Sequence, residues 1–164
     1  MSIGRSIQAY PGIVQHYVDV DSDAGKWVAE SLESTYPEKI NGALIKHTLG
    51  DKDDAPWFDN TWDLLEDPFP YSEDVMWHGS SALFAVLVAL EMGYKRIVLA
   101  GCPMDNKGHW YFPEIEHGPI WTPESYHAWF EFTLDKRKRL VRSCSGYTGI
   151  LLGAPDEVFF NGLS

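Results

Sequence analysis

Cysteine is scarce in this chain: Cys102 and Cys144 are the only two in 164 residues. Two thiols cannot staple a small secreted fold, so apolar packing must hold the chain together. Positive charge is scarce too, with 13 lysines and arginines against 24 aspartates and glutamates and a net charge of -11. A surface of that sign repels a nucleic-acid backbone, whose binding needs clustered cations to displace counterions. No apolar run reaches the roughly 18–20 residues of a membrane span, and the start is not the basic-then-apolar pattern of a secretory signal. These absences read as a soluble, cytoplasmic protein with neither nucleic acid nor membrane as partner. No internal repeat or low-complexity tract stands out. Against those absences, 45% of the residues are hydrophobic and 14% aromatic, including seven tryptophans. That is ample for one core at a length typical of a single domain.

The pattern along the chain alternates strands and helices. A short apolar stretch around Ser2–Ile7 is broken by the turn residues Tyr10-Pro11-Gly12, and Val14–Val20 then alternates as a strand ending among Asp19, Asp21 and Asp23. Asp23 suits an N-cap, followed by Trp27, Val28, Leu32 and Tyr36 at helical spacing until Pro37. Ala43–Thr48 reads as a short buried strand. Val75–Trp77 is another strand, followed by a helix over Ser80–Met92 that is apolar on nearly every face and so should be buried. Lys95–Gly101 is a continuous apolar strand, as in a parallel sheet covered on both faces. Thr122-Pro123-Glu124 opens a helix with a cap, a proline at its first position and an acid that suits the dipole. Lys136–Arg139 is expected to close that helix. Leu140–Cys144 is a last strand, and Ser145-Gly146 leads into a short helix that ends at Gly153. The alternation predicts an α/β fold: an open, mostly parallel Rossmann-like sheet with helices on both faces, in a single domain over 1–164.

One stretch breaks the alternation. Asp51–Asp74 carries nine acids against one lysine, a net -8, together with Trp57, Phe58, Trp62, Phe69 and Tyr71. It reads as a long loop with a short helix near Asn60–Leu65, its aromatics pinned to the body of the chain. A lid or a contact in a homo-oligomer is the alternative, because loops this long inside compact domains are commonly functional.

In open α/β sheets ligands bind beyond the carboxyl ends of the strands. That rule gathers Asp19 and Asp21; His78, Gly79, Ser80 and Ser81; Cys102, Asp105 and His109; and Arg142, Ser143 and Ser145. The His78-Gly79-Ser80-Ser81 turn leads into a helix start whose amides favour an anion, or it is an ordinary cap. Arg142 suits a phosphate or carboxylate, or an ion pair with nearby acids. Asp19-Val20-Asp21 has the spacing of a carboxylate metal grip, although a solvated strand end fits as well. Cys102, Asp105, His109 and His117 match no standard zinc spacing, so no metal is expected and no cofactor is identified.

His78–Ser81 with its apolar helix, followed by Gly93–Asp105, resembles the core of a Rossmann-like superfamily. That superfamily includes bacterial sialyltransferases, Maf motility-associated glycosyltransferases and 6-hydroxymethylpterin diphosphokinase MptE-like proteins. Small phage-encoded proteins carry similar cores with Gly-His-aromatic and Val-Arg-Ser-x-Ser-Gly segments, here Gly108-His109-Trp110 and Val141–Gly146. Two departures stand out: the chain starts near those proteins' second strand, and Pro103 occupies a place where an acid is usual. The resemblance implies a nucleotide or sugar-nucleotide ligand held by Ser80, Ser81, Arg142, Ser143 and Ser145. It leaves His78 and His109 as candidate bases, with Trp110 and Trp121 stacking on a base or sugar. It is compatible with a glycosyltransferase, with a non-catalytic phage protein that sequesters a nucleotide in the host cytoplasm, and with a structural module.

Overall fold

A computed structural model describes residues 1–3, 12–20, 30, 44–49, 57–62, 80–105 and 121–162. The chain divides into two compact units, Met1–Pro68 and Phe69–Ser164. The single domain read over 1–164 is thus organised as two units, each with its own parallel sheet. No helix among the described residues is long and apolar enough to cross a membrane.

In the first unit, β1 (Ser2–Ile3), β2 (His16–Val18), β3 (Ile45–Leu49) and β4 (Asn60–Trp62) form a parallel sheet in the order β1-β2-β3-β4. Tyr17 and Val18 are fully buried on opposite faces of β2, and Phe58 stacks on Tyr17 with ring centroids 6.5 Å apart. β4 corrects the helix expected near Asn60–Leu65. Its residues pair in register with His47, Thr48 and Leu49. Asp59 fixes that register: its amide donates to the Lys46 carbonyl (3.0 Å) and its carboxylate accepts from the Lys46 amide (2.8 Å). Two reciprocal bonds of this kind outweigh the weak helical spacing of the side chains. Of that stretch's aromatics, Phe58 is buried and Trp62 half-buried, whereas Trp57 is about half exposed; Phe69 and Tyr71 lie outside the described residues.

In the second unit, α1 (Ser81–Glu91) precedes β5 (Ile97–Leu99), and α2 (Pro123–Phe132) with a 3₁₀ turn (Lys136–Leu140) precedes β6 (Val141–Ser143). α3 (Gly146–Leu152) and α4 (Glu157–Asn161) follow. β5 and β6 pair in parallel. α1 is buried at every position from Ala82 to Ala89, as its all-round apolar sequence requires. Trp129 and Phe132 of α2 are fully buried and meet edge to face. The basic run 136–139 does not extend α2. Asp135 caps a separate turn through the Arg137 amide at 2.6 Å, and Arg137 folds back to grip the Asp135 carboxylate with Nε and Nη2. The helix expected before Gly153 is α3, whereas α4 has no counterpart in the sequence reading. Mixed helices and small parallel sheets make the fold α/β.

The candidate site at the carboxyl ends of β5 and β6

Because β5 and β6 run parallel, the loops that follow them leave from the same edge. The Cys144 amide donates to the Leu99 carbonyl at 3.0 Å and carries the ladder one residue further. Beyond it, Gly101–Asp105 folds into a turn that needs left-handed backbone at Gly101 (φ +76°) and at Met104 (φ +51°). A methionine held there is uncommon and costs conformational energy unless its surroundings impose it. Here they do, because Met104 is buried and three successive carbonyls of the loop are each taken by a different donor.

The Thr148 hydroxyl donates to the Cys102 carbonyl at 2.6 Å. The Tyr147 amide donates to that of Pro103 at 2.8 Å, and the Tyr126 hydroxyl to that of Met104 at 2.8 Å. The Ser143 hydroxyl lies 2.8 Å from that of Thr148, and both reach the Ser145 carbonyl, at 3.4 and 3.2 Å. Tyr126 and Tyr147 meet edge to face, with centroids 4.9 Å apart. Gly146, at φ +62°, lets α3 start directly under Pro103. No peptide bond here is cis. In a trans peptide the amide points opposite to the preceding carbonyl, so the amides of Met104 and Asp105 face away from the donors of α2 and α3. The loop's direction is therefore fixed at each of those two peptide bonds.

The residues singled out from sequence separate under this geometry. Ser80 is buried and its hydroxyl is committed twice, accepting from the Leu83 amide at 3.2 Å and from Trp129 Nε1 at 3.0 Å. It is a cap and an anchor for the indole. Ser81 is half-buried in the first turn of α1. Ser143 is buried and supports Thr148, whereas Ser145 is exposed, caps α3 without a side-chain bond, and lies at the edge beside Asp105's loop. Arg142 alternates to the sheet face opposite Ser143. There its guanidinium lies 4.8 Å from the centre of the Phe159 ring, and Nη1 donates to the Val141 carbonyl at 2.8 Å. Among the described residues it has no ion pair with a carboxylate. Asp19 belongs to the first unit, where it is buried at the end of β2 and accepts from the Tyr17 hydroxyl. Asp21, His78, Gly79, His109 and Trp110 lie outside the described residues.

Burial pushes the Cys102 thiol up to about 11, so it is protonated near neutrality and is a poor nucleophile. No group of three or more histidine, cysteine or acidic side chains suited to a metal occurs among the described residues. Sequence reasoning missed Met104, Tyr126, Tyr147 and Thr148 as parts of this edge. Tyr126 was legible only as an apolar helix position, and nothing marks Thr148 until the loop it holds is seen. Comparison with protein-family models, curated proteins and solved structures gives no match.

Proposed function

We propose that the second unit binds a nucleotide or sugar nucleotide at the carboxyl edge of β5 and β6, on a Rossmann-like frame in a cytoplasmic protein. The observation that supports this is the Gly101–Asp105 loop, whose bonded Pro103 and Met104 carbonyls fix the direction of the amide that follows each of them. Fixed successive amides in a turn that mixes left- and right-handed residues are a common cradle for phosphate oxygens. The Ser145 hydroxyl stands at the same edge as a further donor. Arg142 sits on the other face of the strand, its guanidinium against Phe159. Turnover would depend on His78 or His109 acting as base toward an acceptor hydroxyl.

A thermal-shift screen with nucleotides, sugar nucleotides and inorganic phosphate tests the reading. A ligand at 100 times its dissociation constant adds about 2.7 kcal/mol of stability, readily seen as a rise in melting temperature. Incubation of any hit with the protein, followed by assay for hydrolysis, separates an enzyme from a sequestering protein. No stabilisation by any nucleotide, sugar nucleotide or phosphate would refute the proposal.

A further inference from the structure

On the first unit, three rings form a hydrogen-bonded chain across three strands. His16 of β2, His47 of β3 and Trp62 of β4 share one face of the sheet, because the parallel register aligns His16 with Ile45 and Leu49 with Trp62. Trp62 Nε1 is 3.1 Å from His47 Nδ1, and His47 Nε2 is 3.0 Å from His16 Nδ1. An indole nitrogen can only donate. His47 Nδ1 must therefore be bare, its proton sits on Nε2, and it gives that proton to His16 Nδ1. His16 then carries its own proton on Nε2. One donor-only ring at the end of the chain fixes both tautomers.

A chain wired this way has no place for another proton. A proton on His47 Nδ1 would face the indole N–H, and one on His16 Nδ1 would face the His47 Nε2–H. Shuffling protons along the chain only moves the clash, so each protonation breaks at least one bond. The surrounding charges act in both directions. The amino group of Met1 next to β2 opposes a cationic His16, whereas the Asp59 carboxylate, itself 3.7 Å from Lys46 Nζ, favours a cationic His47. Asp19 is engaged with the Tyr17 hydroxyl. Burial first and His16 second outweigh Asp59 and bring His47 down to about 4; burial and then the amino group lower His16 as well.

We propose that the His16–His47–Trp62 chain is an acid-released catch, which holds β4 on the sheet at neutral pH and frees it when the chain takes up a proton. β4 is the terminal strand in the described sheet order, paired to β3 alone, so it can leave without breaking another pair. Two imidazole nitrogens 3.0 Å apart would also suit a shared metal ion. Trp62 argues against that, because ligation through His47 Nε2 moves its proton to Nδ1, where the indole N–H already points.

The test uses the full chain. Nitrogen-resolved NMR of the imidazoles at pH 7 is expected to show His47 and His16 protonated on Nε2. Amide exchange of Asn60–Trp62, corrected for its intrinsic pH dependence, is expected to accelerate as pH falls below 6.5. Uptake on His47 alone gives at most tenfold per unit, levelling near pH 4 at up to about 300-fold. Trp62→Phe removes the N–H donor together with the five-membered half of the indole and should return the His47 titration toward 6.5, whereas Asp59→Asn should lower it further. A His47 proton on Nδ1, uniform exchange between pH 7 and 4, or zinc binding seen as shifts of both imidazoles overturns the proposal. If Trp62→Phe fails to fold, the wild-type tautomers and exchange profile decide alone.

Discussion

Replacing Gly146 with alanine tests the frame of the candidate site at its tightest point. A β-carbon there would lie 2.0 Å from the Pro103 carbonyl oxygen and 2.4 Å from its Cα, both rigid backbone atoms. The left-handed conformation costs an alanine about 1–2 kcal/mol. Moving the loop aside adds roughly 1–3 kcal/mol of overpacking strain. Losing the Tyr147 amide bond to Pro103 costs about 1 kcal/mol more. Because these overlap, the expected loss is roughly 3–5 kcal/mol. Gly101 is the internal control: it has φ +76°, but nothing lies within 4 Å of its β-carbon position. Gly101→Ala should therefore cost only the conformational part, about 1–2 kcal/mol. Urea titrations of both variants, read by circular dichroism, give the comparison. Equal losses would refute the steric argument and with it the claim that α3 fixes the loop. An unchanged affinity for the nucleotide or phosphate found by screening, in Gly146→Ala protein that still folds, would separate the loop from binding.

Ser80→Ala should cost about 2–4 kcal/mol, since it removes a helix cap and leaves the buried Trp129 N–H without an acceptor. Ser81→Ala should stay within about 0.5 kcal/mol, and urea midpoints of the two compare them directly. A thiol-disulfide reagent at pH 8 should modify exposed Cys144 quickly and Cys102 slowly, with mass spectrometry of peptides assigning the order; fast labelling of Cys102 in folded protein would contradict its burial. Burial raises the Asp135 carboxyl, but hydrogen bonds and charge from Arg137, with Lys136, more than offset this and hold it below 3.8. Its stabilisation is therefore present at neutral pH and lost as pH falls below the ordinary carboxyl range. Arg137→Ala, which also ends a 3.0 Å pair with Glu91, should lose about 1 kcal/mol at pH 7 and less at pH 3.

The regular elements of the second unit were largely legible because each obeys one strong local rule. α1 is apolar on all sides, Thr122-Pro123 starts α2, and Gly153 stops α3. β4 was hidden because Asn60, Thr61 and Trp62 become a strand only through their pairing with β3 and the Asp59–Lys46 bonds, which are 13 residues apart in sequence. The carboxyl edge was legible as a place, through the parallel strands. Its contents were less so. Ser80 read equally as a ligand residue and as a cap; only the indole of Trp129, 49 positions away, shows where its hydroxyl is spent. Arg142 and Ser143 are adjacent in sequence, yet strand alternation sends them to opposite faces. The His16–His47–Trp62 chain needs three strands in register before any of its members has a partner.

The packing of Arg142 on Phe159 has a consequence for how the chain is made. Phe159 is buried in α4, three residues after its cap Asp156, and it covers an arginine from β6. α4 is thus a closing piece of the second unit. During synthesis from the amino end, β5 must wait 41 positions for β6 and then longer for α4, whereas the first unit has its four described strands by Trp62. The amino-terminal unit can therefore settle while the other is still being extended. A stop codon placed as late as Pro155 would release a ribosome product with its first half intact and a bare guanidinium where its second half should close.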